Sequence, residues 1–466
     1  MQPTILTGTD AVTGGYLNNI VSGFDVLKPE HHNVAFEKYG GQGMSFFMVL
    51  KSLGKMRGIA QDSFKKSLKG WIVESMKVGA AVPSPGVGLA GVYPLHADSV
   101  DAANRIYERL YDTVYFQDGT TGTITAVVGL GTPTPSVEIT PNNVLAALPA
   151  VADGDEFGIV SNAHSESSGQ PRGRITKFDV YENDLQVIKE SIEVSGHQMT
   201  NMTWLKLNGQ DNAPVYTDGL NDLEYRMAHA ISGALLYQER TTNNIIDPAT
   251  GNPIVTTEGL LPFMRRESPA LSVAIGALTV NDFDTIDRFL TRSFAGNNIL
   301  SMFGIERHQE VENVLVPYFA NTNIDFTRKA VNKVLFGENE ALAATVNFTV
   351  LVKSERRFLL KRFDQLNHPK QGGVEGGSPV NQTIALGLFL PLNKQKDSKT
   401  GEIYDTIGFA YKQLGNYSRL SKAWSTGAAG PDGMIKTSDE DVRRFHMLSH
   451  IGGDWSVGTQ MVLLES

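Results

Sequence analysis

The sequence predicts an α+β fold with an appended arm, and three observations carry that prediction. Polar and apolar side chains alternate strictly from Ser191 to Ser195, which is the two-residue period of a half-buried strand. Forty-six glycines among 466 residues exceed the usual share of about 7% and indicate many turns, as in a β-rich or loop-rich chain. Apolar residues recur at helical spacing along one face of a long helix: Leu223, Met227, Ile231, Ala234 and Leu235.

The composition indicates a folded protein and excludes several chemistries. Hydrophobic residues make up 41% of the chain and charged residues 20%, as in folded proteins. The length favours about three domains, or interpenetrating subdomains. The absence of cysteine excludes disulfides, thiolate nucleophiles and cysteine-ligated zinc or iron–sulfur sites. A formal net charge of −9 repels nucleic acid, so any DNA contact is expected to be local and weak.

Neither a targeting signal nor a membrane span is expected. The start Met1-Gln-Pro-Thr4 lacks a basic region followed by an apolar core, and no run of about 18 apolar residues occurs. We therefore expect the chain to be made and used in a cytoplasm. The sequence also shows no repeat of about 20–50 residues, which excludes solenoids and propellers.

An arm, a helix and a small β insertion are predicted first. Residues 1–40 have no sustained periodicity and are interpreted as an arm that gains order from a partner. Asp98 or Ser99 begins a predicted helix that ends near Leu110. Alternating segments predict strands at 71–78, 113–116, 123–128, 137–139 and 157–160. The last four define a predicted insertion, 113–160.

A strand and the long helix follow. The strand covers 185–196 and is interpreted as passing between two environments, because the adjacent residues 187–188 are both apolar and point to opposite faces. A turn is predicted at 218–219. The long helix is predicted to begin at Asn221, with Glu224 completing a capping box.

The remaining sequence alternates helices, strands and loops. A helix is predicted over 281–294 behind an acidic first turn, and another over 306–316, ended by Pro317. Residues 439–450 fit either a helix or a strand. The other predicted elements are a loop at 247–253, strands at 299–303 and 344–353, a mobile loop at 368–379, strands at 382–390 and 404–410, a loop at 427–433 and a strand at 458–464.

The strand and the long helix carry a resemblance to a known family. Asn183, Gln186-Val-Ile and Glu193-Val-Ser-Gly196, followed by the amphipathic helix, resemble the extended loop and spine helix of tailed-phage major capsid proteins, which share the Hong Kong ninety-seven capsid fold. With a β-rich segment before the strand and a late helix near Asp282, the order of elements most resembles capsid proteins of crAss-like phages. The similarity covers most of the chain, but it is one of order and texture, without a catalytic fingerprint.

The resemblance implies a division of the chain into seven segments. They are an N-terminal arm (1–40), a first peripheral-domain segment (41–112), a small β insertion (113–160), extended-loop strands (161–200), the spine helix and peripheral domain (201–298), an axial domain (299–430) and C-terminal strands returning to the core (431–466). The arm and the extended loop are then expected to overlap neighbouring subunits. The axial domain is expected to meet its copies at five- and six-fold vertices.

The same resemblance implies a structural virion protein rather than an enzyme. Such a subunit self-assembles, as hexamers and pentamers, into an icosahedral head shell that encloses packaged double-stranded DNA. Expected partners are its own copies, portal, scaffold and head-decorating proteins, and DNA through weak contacts, with no membrane and no cofactor. The expected location is the virion capsid, assembled in the bacterial host cytoplasm. The alternatives are a hydrolase with a dispersed active site, or another virion part such as a tail or sheath component.

Several short motifs resemble catalytic signatures, and chance explains each of them better. Residues 86–91 spell GxGxxG, but prolines flank them where a dinucleotide site needs a strand before and a helix after. Residues 52–55 and 63–66 fit SxxK, and 399–401 spell KTG, yet the SDN element of those enzymes is absent.

Candidate metal ligands are equally unspecific. His31 and His32 beside Glu30, and His308 with Glu310, have suggestive spacings that ordinary histidines explain better. The half-motif at His308 lacks the cysteines that its zinc site needs. No catalytic, cofactor-binding or metal-ligating residue is therefore predicted.

A basic segment leaves three interpretations open. Arg356, Arg357, Lys361 and Arg362 are interleaved with apolar residues. They fit a solvated strand face, a nucleic-acid patch or a contact between subunits. If the chain builds a shell, the contact between subunits is favoured, because arginine is enriched at interfaces.

Overall fold

The computed structural model describes most of the chain after residue 44. The described residues are 45–69, 75–100, 103–171, 173–174, 178–200, 216–320, 349–353, 355–367, 383–392, 394–396, 403–427 and 440–466. The chain divides into two compact units: unit 1, of Met1–Lys65 with Tyr181–Ser466, and unit 2, of Lys66–Val180. The predicted arm, 1–40, and the predicted mobile loop, 368–379, lie outside the described residues.

Both units are built from the following elements. The helices are α1 (Phe46–Ser52), α2 (Gly196–Thr200), α3 (Tyr216–Tyr237), α4 (Leu260–Glu267), α5 (Val280–Arg292) and α6 (Ile305–Ala320). The strands are β1 (Met56–Ile59), β2 (Ser63–Lys69), β3 (Met76–Lys77), β4 (Gly91–Pro94), β5 (Asp112–Tyr115), β6 (Thr121–Val128), β7 (Ser136–Pro141), β8 (Glu156–Asn162), β9 (Phe178–Asp184), β10 (Gln186–Ser195), β11 (Ala270–Ser272), β12 (Asn298–Phe303), β13 (Thr349–Lys353), β14 (Arg356–Arg362), β15 (Gly387–Pro391), β16 (Lys394–Lys396), β17 (Ile403–Asp405), β18 (Phe409–Leu414), β19 (Tyr417–Ser418), β20 (Lys422–Gly427), β21 (Val442–Gly453) and β22 (Val462–Glu465).

Unit 2 contains a small closed β-barrel. Its strands follow the order β3-β8-β5-β6-β7-β4, with antiparallel pairing between neighbours. The two end strands also meet, because Val78 forms a bridge with Leu95 and the Gly79 N–H donates to the Pro94 carbonyl at 2.8 Å. Closure pairs the sheet edges and encloses an apolar core. That core consists of Met76, Val78, Tyr93, Leu95, Val114, Phe116, Ile124, Val137, Ile139, Leu148, Val151 and Phe157.

The barrel is larger than the predicted insertion. Strands β5 to β8 fall in or beside residues 113–160, but β3 and β4 come from residues upstream, so the compact unit begins at Lys66. Of the strand predicted at 71–78, the described part contains only the two residues of β3. Two residues carry no readable periodicity, which is why their place in the barrel could not be predicted.

The helix predicted over 98–110 is wrong. Within the described part of this range, helical structure is limited to a 3-10 turn at Ala97–Ser99. Val100 is extended and forms a bridge with Ile106, and Asn104 has a positive φ of 56°. These conformations interrupt the helical hydrogen-bond pattern, so the apolar spacing serves barrel packing instead.

The first sheet of unit 1 has the order β1-β18-β21-β10, with β19 and β20 attached to β18 and β21. The alternation predicted from Ser191 to Ser195 is confirmed, since Ser191 and Glu193 are exposed whereas Val194 is buried. Within the predicted extended-loop segment, 161–200, β10 is paired along its whole length with β21 of the same chain. The open choice at 439–450 is thereby settled as a strand.

The second sheet of unit 1 is buried on both faces. Its order is β11-β22-β15-β12-β14-β13. Ile299 and Phe303 of β12 pack in a core with α5 and α6. Leu300 and Met302 pack in a second core, with α1, α3 and α4. Burial on both faces explains why the sequences of β12, β15 and β22 are almost continuous apolar runs. The strand predicted at 299–303 is confirmed as β12.

The long helix α3 has the predicted buried face but an earlier start. Every residue of the predicted stripe is buried: Leu223, Met227, Ile231, Ala234 and Leu235. The helix begins at Tyr216, so the start predicted at Asn221 and the turn predicted at 218–219 are wrong. Gly219 lies where a Cβ would come within 2.4 Å of Ile192 Cδ1, so this glycine allows close packing of helix on strand rather than a turn.

The two later helices are present, with ends that differ from the predicted ones by one to four residues. α5 confirms the helix predicted over 281–294, and Thr279 with Asp282 forms its capping box. α6 continues through Pro317, so the predicted stop there is wrong. Proline removes one backbone donor, and in the last turn this loss leaves the earlier hydrogen bonds of the helix intact.

Three predicted strands are interrupted. The range 404–410 contains the end of β17 and the start of β18, separated by a bend at 406–407. A 3-10 turn precedes β15 in the range 382–390, and another precedes β22 in the range 458–464. Of the strand predicted at 344–353, the described part is β13.

Replacing Val457 with glycine is expected to raise the free energy of unfolding. Val457 has a φ of 54°, a left-handed conformation that strains a β-branched residue by about 1–2 kcal/mol. Glycine relieves this strain but loses more backbone entropy, so the net gain is about 1 kcal/mol or less. Urea unfolding measures it, with Val352→Gly in the exposed part of β13 as a control that is expected to be destabilising. Equal losses of stability in both variants would contradict the strain at Val457.

Candidate assembly surfaces

The short catalytic motifs do not form sites. Gly86 and Gly88 have positive φ values of 100° and 70°, and β4 follows them, so the GxGxxG motif is the predicted loop with no helix N-terminus after it. In the first SxxK motif the Ser52 hydroxyl donates to the Val49 carbonyl, while Lys55 donates to the Leu392 carbonyl at 2.8 Å. The serine and the lysine thus donate hydrogen bonds to different backbone carbonyls. The KTG motif lies outside the described residues.

The candidate metal ligands at His308 and Glu310 are not brought together. Glu310 accepts from Arg307 at 2.6 Å and from the Leu278 N–H at 2.8 Å, whereas His308 Nδ1 lies 3.6 Å from the Glu312 carboxylate. Burial lowers the pKa of His308. Among the described residues, no group of three or more possible ligands comes together. The residues from Glu30 to His32 lie outside that part of the chain.

The basic segment of β14 is not one charged patch. Arg356 is buried, contacts the Asp287 carboxylate and donates to the Thr291 hydroxyl at 2.7 Å, so the patch interpretation is wrong for this residue. Lys361 is half-buried, and its burial lowers the pKa of its ammonium group. Only Arg357 and Arg362 of the four are exposed.

A polar cleft lined by Asn183 and Glu258 in unit 1 is a structural junction. Asn183 is buried, and its side-chain amide donates to the carbonyls of Gly453 at 2.7 Å and Glu258 at 3.0 Å. Its side-chain oxygen accepts from the Glu258 N–H at 2.8 Å. Burial raises the pKa of the Glu258 carboxyl, although nearby Arg266 opposes this shift. The hydrogen bonds of Asn183 thus hold three chain segments together at this cleft.

An exposed hairpin-like segment with a bridge between Ile246 and Pro253 follows α3, and we call residues 241–256 the tongue. Its two arms are joined by backbone hydrogen bonds from Ile254 to Ile245 at 2.7 Å and from Asp247 to Asn252 at 2.9 Å. At its base the Thr256 N–H donates to the Thr241 hydroxyl at 3.1 Å. The sequence predicted a loop at 247–253, and the flanking arms were missed.

The tip of the tongue is held by its own turn. The Asp247 carboxylate accepts from the Thr250 hydroxyl at 2.7 Å and from the Ala249 N–H at 3.0 Å. These hydrogen bonds lower the pKa of Asp247. The Gly251 N–H also donates to the Asp247 carbonyl at 2.8 Å. The tongue is therefore pre-organised by hydrogen bonds at its base, along its arms and at its tip.

The tongue presents apolar side chains on both faces. Ile245 and Ile246 are adjacent on one arm, Ile254 and Val255 on the other, and all four are exposed. Because neighbouring residues in an extended strand point to opposite faces, each face of the tongue carries apolar side chains. The signal that sequence reasoning missed is a pair of β-branched residues on each side of the Asp-Pro-Ala-Thr-Gly-Asn turn.

None of the helices in the described part of the chain is long and apolar enough to cross a membrane.

Solved structures from two phages and from a GTA particle are similar to this chain. The capsid structure of the cyanophage P-SCSP1u is 9% identical, with a TM-score of 0.42, and the match covers 99% of both chains. The capsid of a native GTA particle is 10% identical, with a TM-score of 0.41, over 97% of this chain and 99% of that one. Gordonia phage Cozz is 10% identical, with a TM-score of 0.38, over 100% and 97%. No family model matches the sequence, and no curated protein matches it.

Proposed function

We propose that this chain is a structural subunit that self-assembles into a capsid shell, the major capsid protein of a tailed phage. The observation that carries the proposal is the tongue, a pre-organised element that exposes two pairs of β-branched apolar residues, Ile245 with Ile246 and Ile254 with Val255. Two-stranded ribbons are marginally stable in water by themselves, and clustered exposed apolar residues mark contacts with other molecules. A subunit that completes its buried surface on neighbours has both features.

The finer features of the proposal come from the resemblance in the sequence. In that assignment α3 is the spine helix, residues 299–430 contribute the axial domain and residues 1–40 form an arm on a neighbouring subunit, in a capsid of the crAss-like type. Shell stability then comes from many modest interfaces repeated by symmetry, since each closed contact excludes water from a small apolar area. No bond-forming chemistry is required of the chain.

The proposal also extends to partners and location. A head shell of this kind is built of hexamers and pentamers and encloses double-stranded DNA, and it meets portal, scaffold and head-decorating proteins. The formal net charge of −9 favours only weak contact between the chain and DNA. The shell is assembled in the cytoplasm of a bacterial host and becomes part of the virion.

Negative-stain electron microscopy and light scattering of the concentrated purified chain test the proposal, and closed shells are the expected result. Ile246→Asp is expected to abolish or strongly reduce shell formation, because it places a charge in an apolar contact. Its thermal unfolding is expected to stay close to that of the original chain, because surface substitutions usually change stability by about 0.5 kcal/mol or less.

Asn244→Asp is the matched control, since Asn244 is also exposed on the tongue and the substitution adds the same charge without removing an apolar side chain. Shells are expected from this control. The proposed role of the tongue is refuted if Ile246→Asp assembles as well as Asn244→Asp. A chain that stays monomeric at every concentration would refute the shell function itself.

A further inference from the structure

A second apolar surface lies at one end of the barrel of unit 2. It is made by two loops, 86–89 and 142–147, which we call the barrel cap. The loops are joined by a backbone hydrogen bond from Gly88 to the Ala146 carbonyl at 2.9 Å and by a bridge between Val87 and Ala147. The GxGxxG motif, which serves no cofactor here, thus supplies half of a surface.

Hydrogen bonds and a glycine fix the shape of the barrel cap. The Leu145 N–H donates to the Asn143 side-chain oxygen at 3.0 Å, and the Asn142 N–H donates to the Thr121 carbonyl of β6 at 3.0 Å. A Cβ at Gly88 would lie 2.7 Å from the Val144 carbonyl oxygen, so only glycine allows the two loops to come this close. The cap is therefore anchored to the barrel.

The side chains of this fixed surface point into solvent. Leu145 is 80% exposed and Val144 is 73% exposed. From the other loop, Val87 is 63% exposed and Leu89 is 59% exposed. Four large aliphatic side chains on two hydrogen-bonded loops form an exposed apolar patch, and such patches mark interaction sites.

The two sequence segments that contain the cap loops are almost free of charged residues. Residues 78–97 contain no Asp, Glu, Lys or Arg, and residues 119–152 contain only Glu138. Recognition of nucleic acid would require basic residues, and recognition of a basic protein would require acidic ones. The surface fits a partner whose contacting face is itself apolar and uncharged.

We propose that the barrel cap is a contact surface for a second copy of this chain. Copies with a formal net charge of −9 repel one another, so a contact between copies is opposed least where the facing surfaces carry no charge. The cap supplies such a surface, and it does so on every copy. This inference rests on the proposed shell function and adds to it a contact in unit 2, separate from the tongue in unit 1.

The lack of cysteine allows a direct test. Leu145→Cys places a single thiol on the cap, and Val160→Cys places one on β8, where Val160 is 63% exposed and outside the cap. Each variant is labelled with a maleimide as dispersed subunits and as particles assembled from the purified chain alone. Assembly is expected to slow labelling at position 145 by about tenfold, equivalent to about 1.4 kcal/mol of protection. Labelling at position 160 is expected to change little.

The possible results separate this inference from the shell function. Equal labelling of Leu145→Cys in subunits and in particles overturns the cap contact and leaves the shell function standing. Loss of particles in Leu145→Cys alone, with Val160→Cys assembling normally, supports the contact by a second route. Absence of particles from the unsubstituted chain overturns the shell function, and the cap contact with it.

Discussion

Replacing Arg307 with leucine is expected to lower the free energy of unfolding of unit 1 by about 3–5 kcal/mol, the range for breaking a buried ion pair by removal of one partner. The Arg307 side chain is fully buried and pairs with Glu310 at 2.6 Å. It also donates to the carbonyls of Val273 at 2.7 Å and Ala385 at 3.1 Å. Leucine leaves the Glu310 carboxylate and both carbonyls without these donors in a water-excluded site.

Urea unfolding measures the effect as a shift of the midpoint at unchanged slope. Arg265→Leu is the matched control, because Arg265 pairs with Glu465 at 3.2 Å but is 41% exposed. Exposed pairs contribute about 0–1 kcal/mol, so the control should unfold almost like the original chain. Similar midpoints for Arg307→Leu and Arg265→Leu would show that the buried pair does not hold α6 in place.

Placing a charge on the buried stripe of α3 is expected to have an effect of similar size. Met227 and Ile231 are buried in the core where α3 packs on β10 and β21. Met227→Asp or Ile231→Asp buries an unpaired carboxylate and removes apolar contacts. Together these changes are expected to lower the free energy of unfolding by about 4 kcal/mol or more.

Thermal unfolding and expression in soluble form measure this effect. Tyr225→Asp is the control, because Tyr225 lies on the same helix but is 63% exposed. The control is expected to melt near the temperature of the original chain. An unchanged melting temperature in Met227→Asp would mean that this face is not part of the core.

Helical faces were predictable because their signal is local. The buried stripe of α3 and the acidic first turn of α5 follow from spacing within a few residues, and both are present. The start of α3 was not predictable in the same way. Asp218 and Gly219 have turn chemistry, but the close packing on Ile192 that makes the glycine useful within a helix is a tertiary contact.

The assembly of the barrel could not be predicted, because its decisive contacts join distant residues. β3 is two residues long, and its closure onto β4 depends on a bridge between Val78 and Leu95. The predicted helix at 98–110 is likewise replaced by a 3-10 turn and a bridge between Val100 and Ile106. Tertiary context can override the modest propensity that a helical pattern reports.

The candidate surfaces, too, were predictable only in part. A loop at 247–253 and a loop at 86–91 follow from glycine and proline content alone. Sequence does not show that the first loop is the tip of the tongue or that the second loop forms one half of the barrel cap. Both roles depend on hydrogen bonds such as the one from the Gly88 N–H to the Ala146 carbonyl. Arg356 is a third case, since only the fold brings Asp287 to it.

The position of β22 in its sheet governs when a growing chain completes its fold. β22 lies between β11 and β15, so the second sheet of unit 1 stays interrupted until residue 465 has left the ribosome. The barrel residues are all made by residue 180. At about 5–20 residues per second, roughly 15–60 s of translation separate the two events. A nascent chain can thus fold its barrel early, while the second sheet of unit 1 is completed only when β22 pairs with β11 and β15.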